Sequence, residues 1–401
     1  MISVDKALNI ILKRLRLVSR ERVSFQESLG RVLAKDIKAT INLPPFSRSS
    51  VDGFAVRSID VKKVLAEKSA EFKIVGRIQA GSHPLKCLRK FETMKIMTGA
   101  MIPAGADAVI MKEYAQELDG QVKFLRVVRS GENIRFKGED TKKGATVLKK
   151  GNLVTSGVVS LLAALGTKKI AIYRKPKVAV LVTGNELLSI GRRLTPGKIY
   201  SANEFGLFGQ IKEAGGKPVL LGVAADRLSV LRKKILQGFK YDCFIISGGV
   251  SVGDFDFVPR ILKKLSVKIH FHGVSVQPGK PLLFGQKGKT YVFGLPGNPV
   301  STAMTFYKFV RPLLLKIGGQ DNILLKSSMA ILAEDVKMQA RRSKIFRAES
   351  FWKNNDLFVR LASHQGSGNV VSLAKATAIF EVPEDVSFLK KGTRLRIFYL
   401  P

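Results

Sequence analysis

Glycines and carboxylates are concentrated in residues 247–256, which read Ser-Gly-Gly-Val-Ser-Val-Gly-Asp-Phe-Asp. An apolar run precedes this stretch and a helical pattern over residues 257–265 follows it, so the sequence predicts a strand–loop–helix connection. The glycines allow the backbone to approach a ligand closely, and the N-terminus of the following helix presents free N–H groups to an anion. Asp254 and Asp256 would repel a bare phosphate, which indicates an anionic, nucleotide-like substrate handled through a divalent cation. A plain tight turn between strand and helix is the alternative interpretation of this stretch alone.

The elements around this loop place it at the edge of a sheet. Between residues 177 and 316 the sequence alternates between apolar strands at 178–182, 219–223, 243–246, 267–271 and 291–294 and helical patterns at 202–214, 228–236, 257–265 and 301–316. Strands that are apolar throughout favour a mostly parallel sheet covered by helices on both faces. In such sheets the ligand lies beyond the carboxyl ends of the strands.

The residues that directly follow these strands are therefore the candidates for a site. Glu186, Asp226 and Asp256 are candidate metal ligands, because hard carboxylate oxygens on one rim suit Mg²⁺ better than a soft metal. Asp226 and Asp254 could instead cap the helices that follow them. The other rim positions, expected to line the substrate or nucleotide site, are Thr183, Gly184, Ser247, Gly248, Gly249, Ser251, Gly253, Pro296, Gly297 and Asn298.

The remaining segments predict a helical N-terminus, a β-rich insertion and a C-terminal β unit. Residues 4–15 predict an amphipathic helix with Ser3 as its N-cap, and residues 25–33 predict a second short helix. Residues 72–148 contain short β-like runs cut by Gly and Pro. Beyond residue 319 the pattern predicts short strands that form a small barrel or sandwich.

The charge balance is strongly basic, with 68 Lys+Arg against 31 Asp+Glu and a formal net charge of +37. The cations occur as scattered pairs and triplets, so a diffuse basic surface that attracts anions is favoured over a dedicated nucleic-acid site. Cys87 and Cys243 provide neither a disulfide framework nor a zinc spacing, which fits a reducing compartment. The sequence has no signal-peptide pattern and no apolar run long enough to span a bilayer, so a soluble, cytoplasmic protein is expected.

Seven motifs occur in order along nearly the whole chain. The first three are Pro44-Pro45-Phe46 with residues 51–56, Thr98-Gly99-Ala100 with Pro103 and residues 105–107, and Arg135 with residues 138–140. The others are residues 183–187, 247–256, 278–281 and 294–301. Together they resemble the molybdopterin molybdenumtransferases, the MoeA family, whose module also forms the E domain of gephyrin. No stretch resembles the adenylylating partner of fused members, which implies the stand-alone form.

The resemblance implies an elongated chain of four α/β and β domains. The implied domains are residues 1–42 plus 146–172 (a discontinuous, elongated, helical N-terminal domain), 43–145 (a β-rich insertion), 173–318 (a three-layer α/β domain with a mostly parallel sheet, of the molybdopterin-binding kind) and 319–401 (a small β-barrel). It also implies a homodimer whose active site lies between the α/β domain of one protomer and the N-terminal domain of the other. Transient contacts with the molybdopterin adenylyltransferase and with apo-molybdoenzymes are expected, whereas membrane or nucleic-acid partners are not.

The activity implied by the resemblance is insertion of molybdate into adenylylated molybdopterin, which releases AMP and yields the molybdenum cofactor. Mg²⁺ or Zn²⁺ would assist the hydrolysis. By motif position, the catalytic and metal-binding acids are Glu186, Asp226 and Asp256, and the catalytic residues facing the pocket across the dimer are Asp52, Thr98 and Asp140. The implied molybdate pocket consists of Lys280, Pro281, Ser301, Arg342 and Ser367.

Two positions depart from the family pattern. Asn185 stands where many members carry Asp, and Gln277 replaces a lysine found in others before Pro-Gly. Either change would soften contacts to phosphate or metal. Arg341 is an alternative to Arg342, because the alignment crosses a variable loop. A non-catalytic anion-binding or scaffold protein is the alternative function, but the intact acidic residues and Lys280 favour chemistry.

Overall fold

The computed structural model describes residues 1–13, 15–67, 71–251, 256–339 and 342–401. The chain begins with the helix Val4–Leu12, and the Ser3 hydroxyl accepts the Lys6 N–H at 3.3 Å. The predicted N-cap is therefore confirmed. Ala7 and Ile11 on one face of this helix are buried in the core of the central α/β part. Apolar residues at helical spacing thus fasten the N-terminus to that core.

Two segments that are distant in sequence pair beside this helix. The strand Arg20–Ser24 lies antiparallel to Lys169–Tyr173, and the helix Ser156–Ala164 packs on the same small core. The predicted helix over residues 25–33 is wrong. Only Phe25–Ser28 forms a short 3-10 turn, because Gly30 adopts a positive φ of 72° that ends it.

A mixed six-stranded sheet forms the β-rich part between these segments. Its strands, in spatial order, are Ala108–Met111, Gly53–Val56, Glu92–Ile96, Phe72–Ile78, Gln121–Phe124 and Ala115–Leu118. One face buries Phe54, Phe72 and Phe124. The helix Ser58–Glu67, which the sequence pattern does not predict, covers this face with Val61 and Val64. Short strand pairs flank the sheet at Ile37–Lys38 with Thr146–Leu148 and Arg48–Ser49 with Ile134–Arg135.

The central sheet also has six strands, and most of its pairs are parallel. Its spatial order is Lys217–Ala224, Lys177–Thr183, Cys243–Ser247, Thr290–Leu295, Leu283–Lys287 and Lys268–His272. The first four strands are parallel, whereas the last two run antiparallel to their neighbours. Each face of the sheet has its own buried apolar cluster. The predicted α/β architecture is confirmed. Beside the sheet a short parallel pair joins Leu187–Leu188 to Ile199–Tyr200.

Helices cover both faces of this sheet. Their bounds are Ala202–Glu213, Leu228–Gly238, Phe257–Lys264, Pro299–Thr305 and Arg311–Ile317. The sequence predicted one continuous helix over residues 301–316, but Phe306–Val310 forms a π-helical turn in its middle. Pro312 explains this break, because proline has no N–H and its ring crowds the preceding turn. No helix in the described parts of the chain is long and apolar enough to cross a membrane.

The C-terminal strands close into a small barrel. Its strands, in order around the barrel, are Ser343–Lys353, Asp356–Leu361, Ser327–Leu332, Arg394–Tyr399 and Ala378–Val382, and the last pairs with the first. The barrel is therefore the correct alternative to a sandwich. The short strand Val276–Gln277 adds to the start of Ser343–Lys353 and joins the central part to the barrel. Smaller elements are the pair Val336–Lys337 with Phe388–Leu389 and the helix Val370–Lys375.

Candidate active site

A cavity of about 790 Å³ lies at the carboxyl ends of the parallel strands, where the central sheet meets the barrel. Loops that follow all four parallel strands line it together with residues 277–281, and barrel residues complete the lining. The predicted site residues that line it are Thr183, Gly184, Glu186, Asp226, Gly248, Gly249, Ser251, Asp256, Lys280, Pro281, Pro296, Gly297, Asn298, Ser301 and Ser367. The cavity therefore lies at the edge where open α/β sheets bind their ligands.

The acidic side of the cavity is organised by hydrogen bonds around Asp226. Its carboxylate accepts the Thr183 hydroxyl on one oxygen and the Asn185 N–H, at 3.2 Å, on the other. In return, the Asn185 side-chain oxygen accepts the Asp226 N–H at 3.1 Å. An aspartate at position 185 would place a second negative charge beside Asp226, so the asparagine makes this contact without repulsion. The Glu186 carboxylate lies close by, over Gly184.

The glycine loop after Cys243–Ser247 approaches the neighbouring strand end very closely. Gly248 has a φ of +95°, and a Cβ atom there would lie 2.3 Å from the Thr183 carbonyl oxygen. Only glycine fits this position. His272 Nε2 lies 2.7 Å from the Val250 carbonyl oxygen and supports the loop from the edge strand Lys268–His272. Gly253 and Asp254 lie outside the described residues.

Ser247 does not line the cavity, although it belongs to the predicted set. Its side chain is fully buried, and its hydroxyl donates to the Pro296 carbonyl at 3.1 Å. Asn203 donates to the Ser247 hydroxyl at 2.9 Å and to the Gly297 carbonyl at 2.7 Å. Ser247 and Asn203 therefore hold the Pro296–Gly297 turn from behind. Asn203 was missed, because a polar residue inside a helix gives no sign of facing a loop from another strand.

The basic side of the cavity begins at Lys280. This residue precedes the strand Leu283–Lys287, which runs antiparallel to Thr290–Leu295. Residues before an antiparallel strand lie at the same edge as residues after a parallel one, so Lys280 and Pro281 reach the rim. The barrel loop is attached there by two hydrogen bonds. Asn298 Nδ2 donates to the Ser367 hydroxyl at 3.1 Å, and the Val300 N–H donates to the Ser367 carbonyl at 3.1 Å.

Arg342 does not line the cavity, but Lys344, two residues further along, does. Arg342 directly precedes the strand Ser343–Lys353, and the cavity meets this strand at Lys344 and Ile345. The alternative residue, Arg341, lies outside the described residues. Lys344 was missed because the prediction depended on aligning a variable loop rather than on the strand that follows it.

A buried arginine supports the barrel side of the cavity. Arg347 is 1% exposed and donates to the Ser372 hydroxyl at 2.7 Å and to the carbonyls of His364 and Gly366 at 3.2 and 3.3 Å. Burial lowers the pKa of Arg347 to about 10, so the guanidinium stays charged at neutral pH. No carboxylate pairs with it among the described residues. Arg347 therefore fixes the loop that presents Gln365, Gly366 and Ser367 to the cavity.

Asp52, Thr98 and Asp140 lie outside this cavity, on exposed loops of the β-rich part. Asp52 and Thr98 are brought together, since one Asp52 carboxylate oxygen accepts both the Thr98 N–H and the Thr98 hydroxyl at 2.7 Å. These bonds, first the backbone one, lower the pKa of Asp52 and keep it charged. Asp140 is anchored separately, by its N–H to the Leu43 carbonyl at 2.9 Å.

The carboxylate oxygens that line the cavity are the kind of ligand that a hard cation prefers. Among the described residues, however, no group of three or more His, Cys, Asp or Glu side chains is close enough together to hold a metal ion. Mg²⁺ in phosphate-processing sites commonly uses one or two carboxylates together with substrate phosphates. Glu186, Asp226 and Asp256, which all line the cavity, fit that arrangement better than a cage made of protein ligands alone.

The fold and the cavity define a multidomain α/β and β protein with a cavity between its central sheet and its barrel. Residues 2–166 match the MoeA N-terminal region (domain I and II), residues 179–316 the probable molybdopterin binding domain, and residues 329–398 the MoeA C-terminal region (domain IV). The chain belongs to the MoeA family.

Curated relatives agree with this membership. The molybdopterin molybdenumtransferase of Staphylococcus epidermidis is 36% identical over 395 residues, covering 98% of this chain and 94% of that protein. The molybdopterin molybdenumtransferase of Bacillus subtilis is 35% identical over 404 residues, covering 100% and 94%. The crystal structure of the molybdopterin biosynthesis MoeA protein from Pyrococcus horikoshii superimposes with a TM-score of 0.87 at 34% identity, covering 100% of this chain and 99% of that one. The relatives are transferases, so the chain belongs to an enzyme family.

Proposed function

We propose that this protein inserts molybdate into adenylylated molybdopterin with release of AMP, as a step of molybdenum cofactor biosynthesis. The observation that carries the proposal is a cavity lined both by the carboxylates of Glu186, Asp226 and Asp256 and by the ammonium group of Lys280. A phosphoanhydride handled with a cation needs the carboxylates, and a tetrahedral dianion needs the ammonium group. A scaffold has no need of this combination, so the non-catalytic alternative is not favoured.

The nucleotide part of the substrate would lie along the glycine loops. Thr183, Gly184, Gly248 and Gly249 leave the strand ends without bulky side chains, and Gly297 and Asn298 continue the same surface. Backbone N–H groups at such loops suit phosphate oxygens. The pterin would extend from there toward the basic wall, where its dithiolene sulfurs meet the molybdate held by Lys280, Pro281, Ser301 and Ser367.

Mg²⁺ is the proposed cation, with Zn²⁺ as the alternative. Glu186, Asp226 and Asp256 would hold it together with the substrate phosphates, and it would offset phosphate charge and polarise the phosphoanhydride. Asp226 has a second task, since its hydrogen bonds keep Thr183 and Asn185 in place. A carboxylate oxygen that accepts one hydrogen bond still has another lone pair, so the two tasks are compatible.

We further propose a homodimer in which the Asp52–Thr98 pair of one protomer faces the cavity of the other. The support is that this pair is exposed, preorganised and charged but lies outside the cavity of its own chain. Asp140 would join it from the next motif. The domain boundaries proposed are 1–42 with 146–172, 43–145, 173–318 and 319–401. A cytoplasmic location and transient contacts with the molybdopterin adenylyltransferase and apo-molybdoenzymes complete the proposal.

The test is incubation of the protein with adenylylated molybdopterin, Mg²⁺ and molybdate, with AMP measured by chromatography and cofactor by reconstitution of an apo-molybdoenzyme. Asp226→Ala and Asp256→Ala are expected to abolish AMP release while the circular dichroism spectrum is unchanged. Asp385→Ala, an exposed barrel acid outside the cavity, is the matched control. Full turnover in both cavity variants would refute the assignment of these acids.

A further inference from the structure

Lys344 is a cation that the proposed reaction has not yet used. It lines the cavity from the barrel side, at the point where the strand Ser343–Lys353 begins. The residue is half-buried, and its ammonium lies 4.9 Å from the centre of the Phe346 ring. It takes part in no ion pair with a carboxylate among the described residues. Partial burial of a cation without an anion disfavours its charged form, and an anionic ligand in the cavity would offset that cost.

The strand register fixes which wall of the cavity Lys344 occupies. Val276–Gln277 pairs in parallel with the start of Ser343–Lys353, so that Gln277 stands directly beside Lys344. Residues paired in this way carry their side chains to the same face. Gln277 also lines the cavity and is uncharged. Lys344 is therefore the cation of this wall, and Lys280, three residues after Gln277, is the cation of the adjoining loop.

We propose that Lys344 is a second cationic ligand for the tetrahedral oxyanion, acting together with Lys280. The proposal rests on the proposed function, because that function places molybdate in this cavity. Two ammonium groups match the two negative charges of molybdate, and the hydroxyls of Ser301 and Ser367 satisfy further oxygens. Burial alone lowers the pKa of Lys344, as expected of an ammonium with no carboxylate beside it.

The competing explanation is that Lys344 only covers the Phe346 ring with its alkyl stem. Two substitutions separate the roles. Lys344→Met keeps an apolar stem of similar length over the ring and removes the charge. Lys344→Arg keeps the charge. Lys353→Met, at the exposed far end of the same strand, is the matched control for loss of one positive charge.

The pairing of Gln277 with Lys344 also allows a rescue experiment. Gln277→Lys in the Lys344→Met background returns a cation to the same wall from the neighbouring strand. If the wall needs a charge rather than one particular side chain, the double variant regains affinity. If Lys344 acts only through Phe346, a charge at position 277 restores nothing.

The experiment measures the Kd of molybdate alone by equilibrium dialysis, and the KM for molybdate in the AMP-coupled reaction. Loss of a charge pair worth about 1.4 kcal/mol corresponds to a tenfold change, so Lys344→Met is expected to raise both constants about tenfold. Lys344→Arg, Lys353→Met and the Gln277→Lys/Lys344→Met pair should stay within about threefold of the unsubstituted protein, which is under 0.7 kcal/mol.

Several results would overturn the inference. Unchanged Kd and KM in Lys344→Met would remove Lys344 from the oxyanion site. Weak binding in Lys344→Met that Gln277→Lys fails to restore, together with a lower unfolding temperature, would make Lys344 a packing residue. The proposed function is judged separately. Molybdate binding without AMP release in the unsubstituted protein would refute insertion but leave the Lys344 comparison intact.

Discussion

Replacement of Arg347 by lysine is a sharp test of how the barrel shapes the cavity. The arginine fork donates to one hydroxyl and two carbonyls, in Ser372, His364 and Gly366. Lysine keeps the charge but is a point donor on a flexible stem, and it cannot reach all three acceptors in one geometry. The variant therefore removes the fork without removing the cation.

The size of the effect follows from the hydrogen bonds lost, since the carbonyls of His364 and Gly366 each keep a donor from Asn369. A hydrogen bond to a charged group contributes about 1.5–3 kcal/mol. With one of the three bonds regained by lysine, two are lost, and we expect the loop to open more easily by about 3 kcal/mol. If the free energy of local opening falls by about 3 kcal/mol, amide exchange becomes about 100-fold faster, since each 1.4 kcal/mol corresponds to a factor of ten.

The assay is native-state hydrogen exchange followed by mass spectrometry over residues 362–372. The amides of Gly366 and Asn369, which are hydrogen-bonded inside the loop, should exchange about 100-fold faster in Arg347→Lys. The KM for molybdate should rise with it, because this loop presents Ser367. Exchange around Thr183 should be unchanged. Arg360→Lys, an exposed arginine on the neighbouring strand, is the matched control.

Two outcomes would contradict this account. Unchanged exchange in the loop would mean that Arg347 does not hold it. Loss of protection throughout the barrel, including the strands Ala378–Val382 and Arg394–Tyr399, would mean that Arg347 stabilises the whole barrel rather than the loop.

Three further variants test the framework of the site. Gly248→Ala should lower the midpoint of urea unfolding by an amount equivalent to about 3 kcal/mol, because the new Cβ would meet the Thr183 carbonyl at 2.3 Å and strain a positive φ. Asn203→Leu should speed amide exchange over residues 295–299 by about tenfold or more, since the buried Ser247 hydroxyl and the Gly297 carbonyl both lose the Asn203 donor. Thr98→Val should raise the pKa of Asp52 toward its usual value, measured by carboxyl ¹³C shifts against pH, because the hydroxyl bond favours the charged form. The stability that the Asp52–Thr98 pair provides should be complete at neutral pH and be lost as the pH falls below about 4, through the lowered folded pKa. An Asp52 titration unaffected by Thr98→Val would contradict the hydrogen-bond assignment.

The sequence predicted the central sheet and its rim because their signals are local. Apolar strands of five to eight residues and a loop such as residues 247–251 are visible without knowing their neighbours. Glu186, Asp226 and Asp256 were found in the same way, as polar residues directly after strands. The helix Ser58–Glu67 was missed because its polar sequence has only a weak apolar face, with Val61 and Val64 buried. Its position depends on packing against a sheet that the sequence did not define.

The site residues that the sequence did not predict are positioned by contacts between elements that are distant in the chain. Asn203 and Arg347 act on loops from other elements, and Lys344 reaches the cavity through the barrel strand that pairs with Val276–Gln277. None of these relations has a fixed spacing in the chain. Alignment by motif consequently assigned Arg342, whereas the strand register brings Lys344 to the cavity wall.

The antiparallel edge of the central sheet explains why carboxylates and a lysine line the same cavity. Parallel strands bring only the residues that follow them to the rim, and in this chain those residues supply Glu186, Asp226 and Asp256. The reversed strand Leu283–Lys287 brings the residues that precede it, and Lys280 is among them. The short strand Val276–Gln277, which precedes Lys280 in the chain, pairs with the barrel strand Ser343–Lys353. The barrel is therefore held close to Lys280. A change of strand direction therefore separates the wall suited to phosphate and cation from the wall suited to the oxyanion.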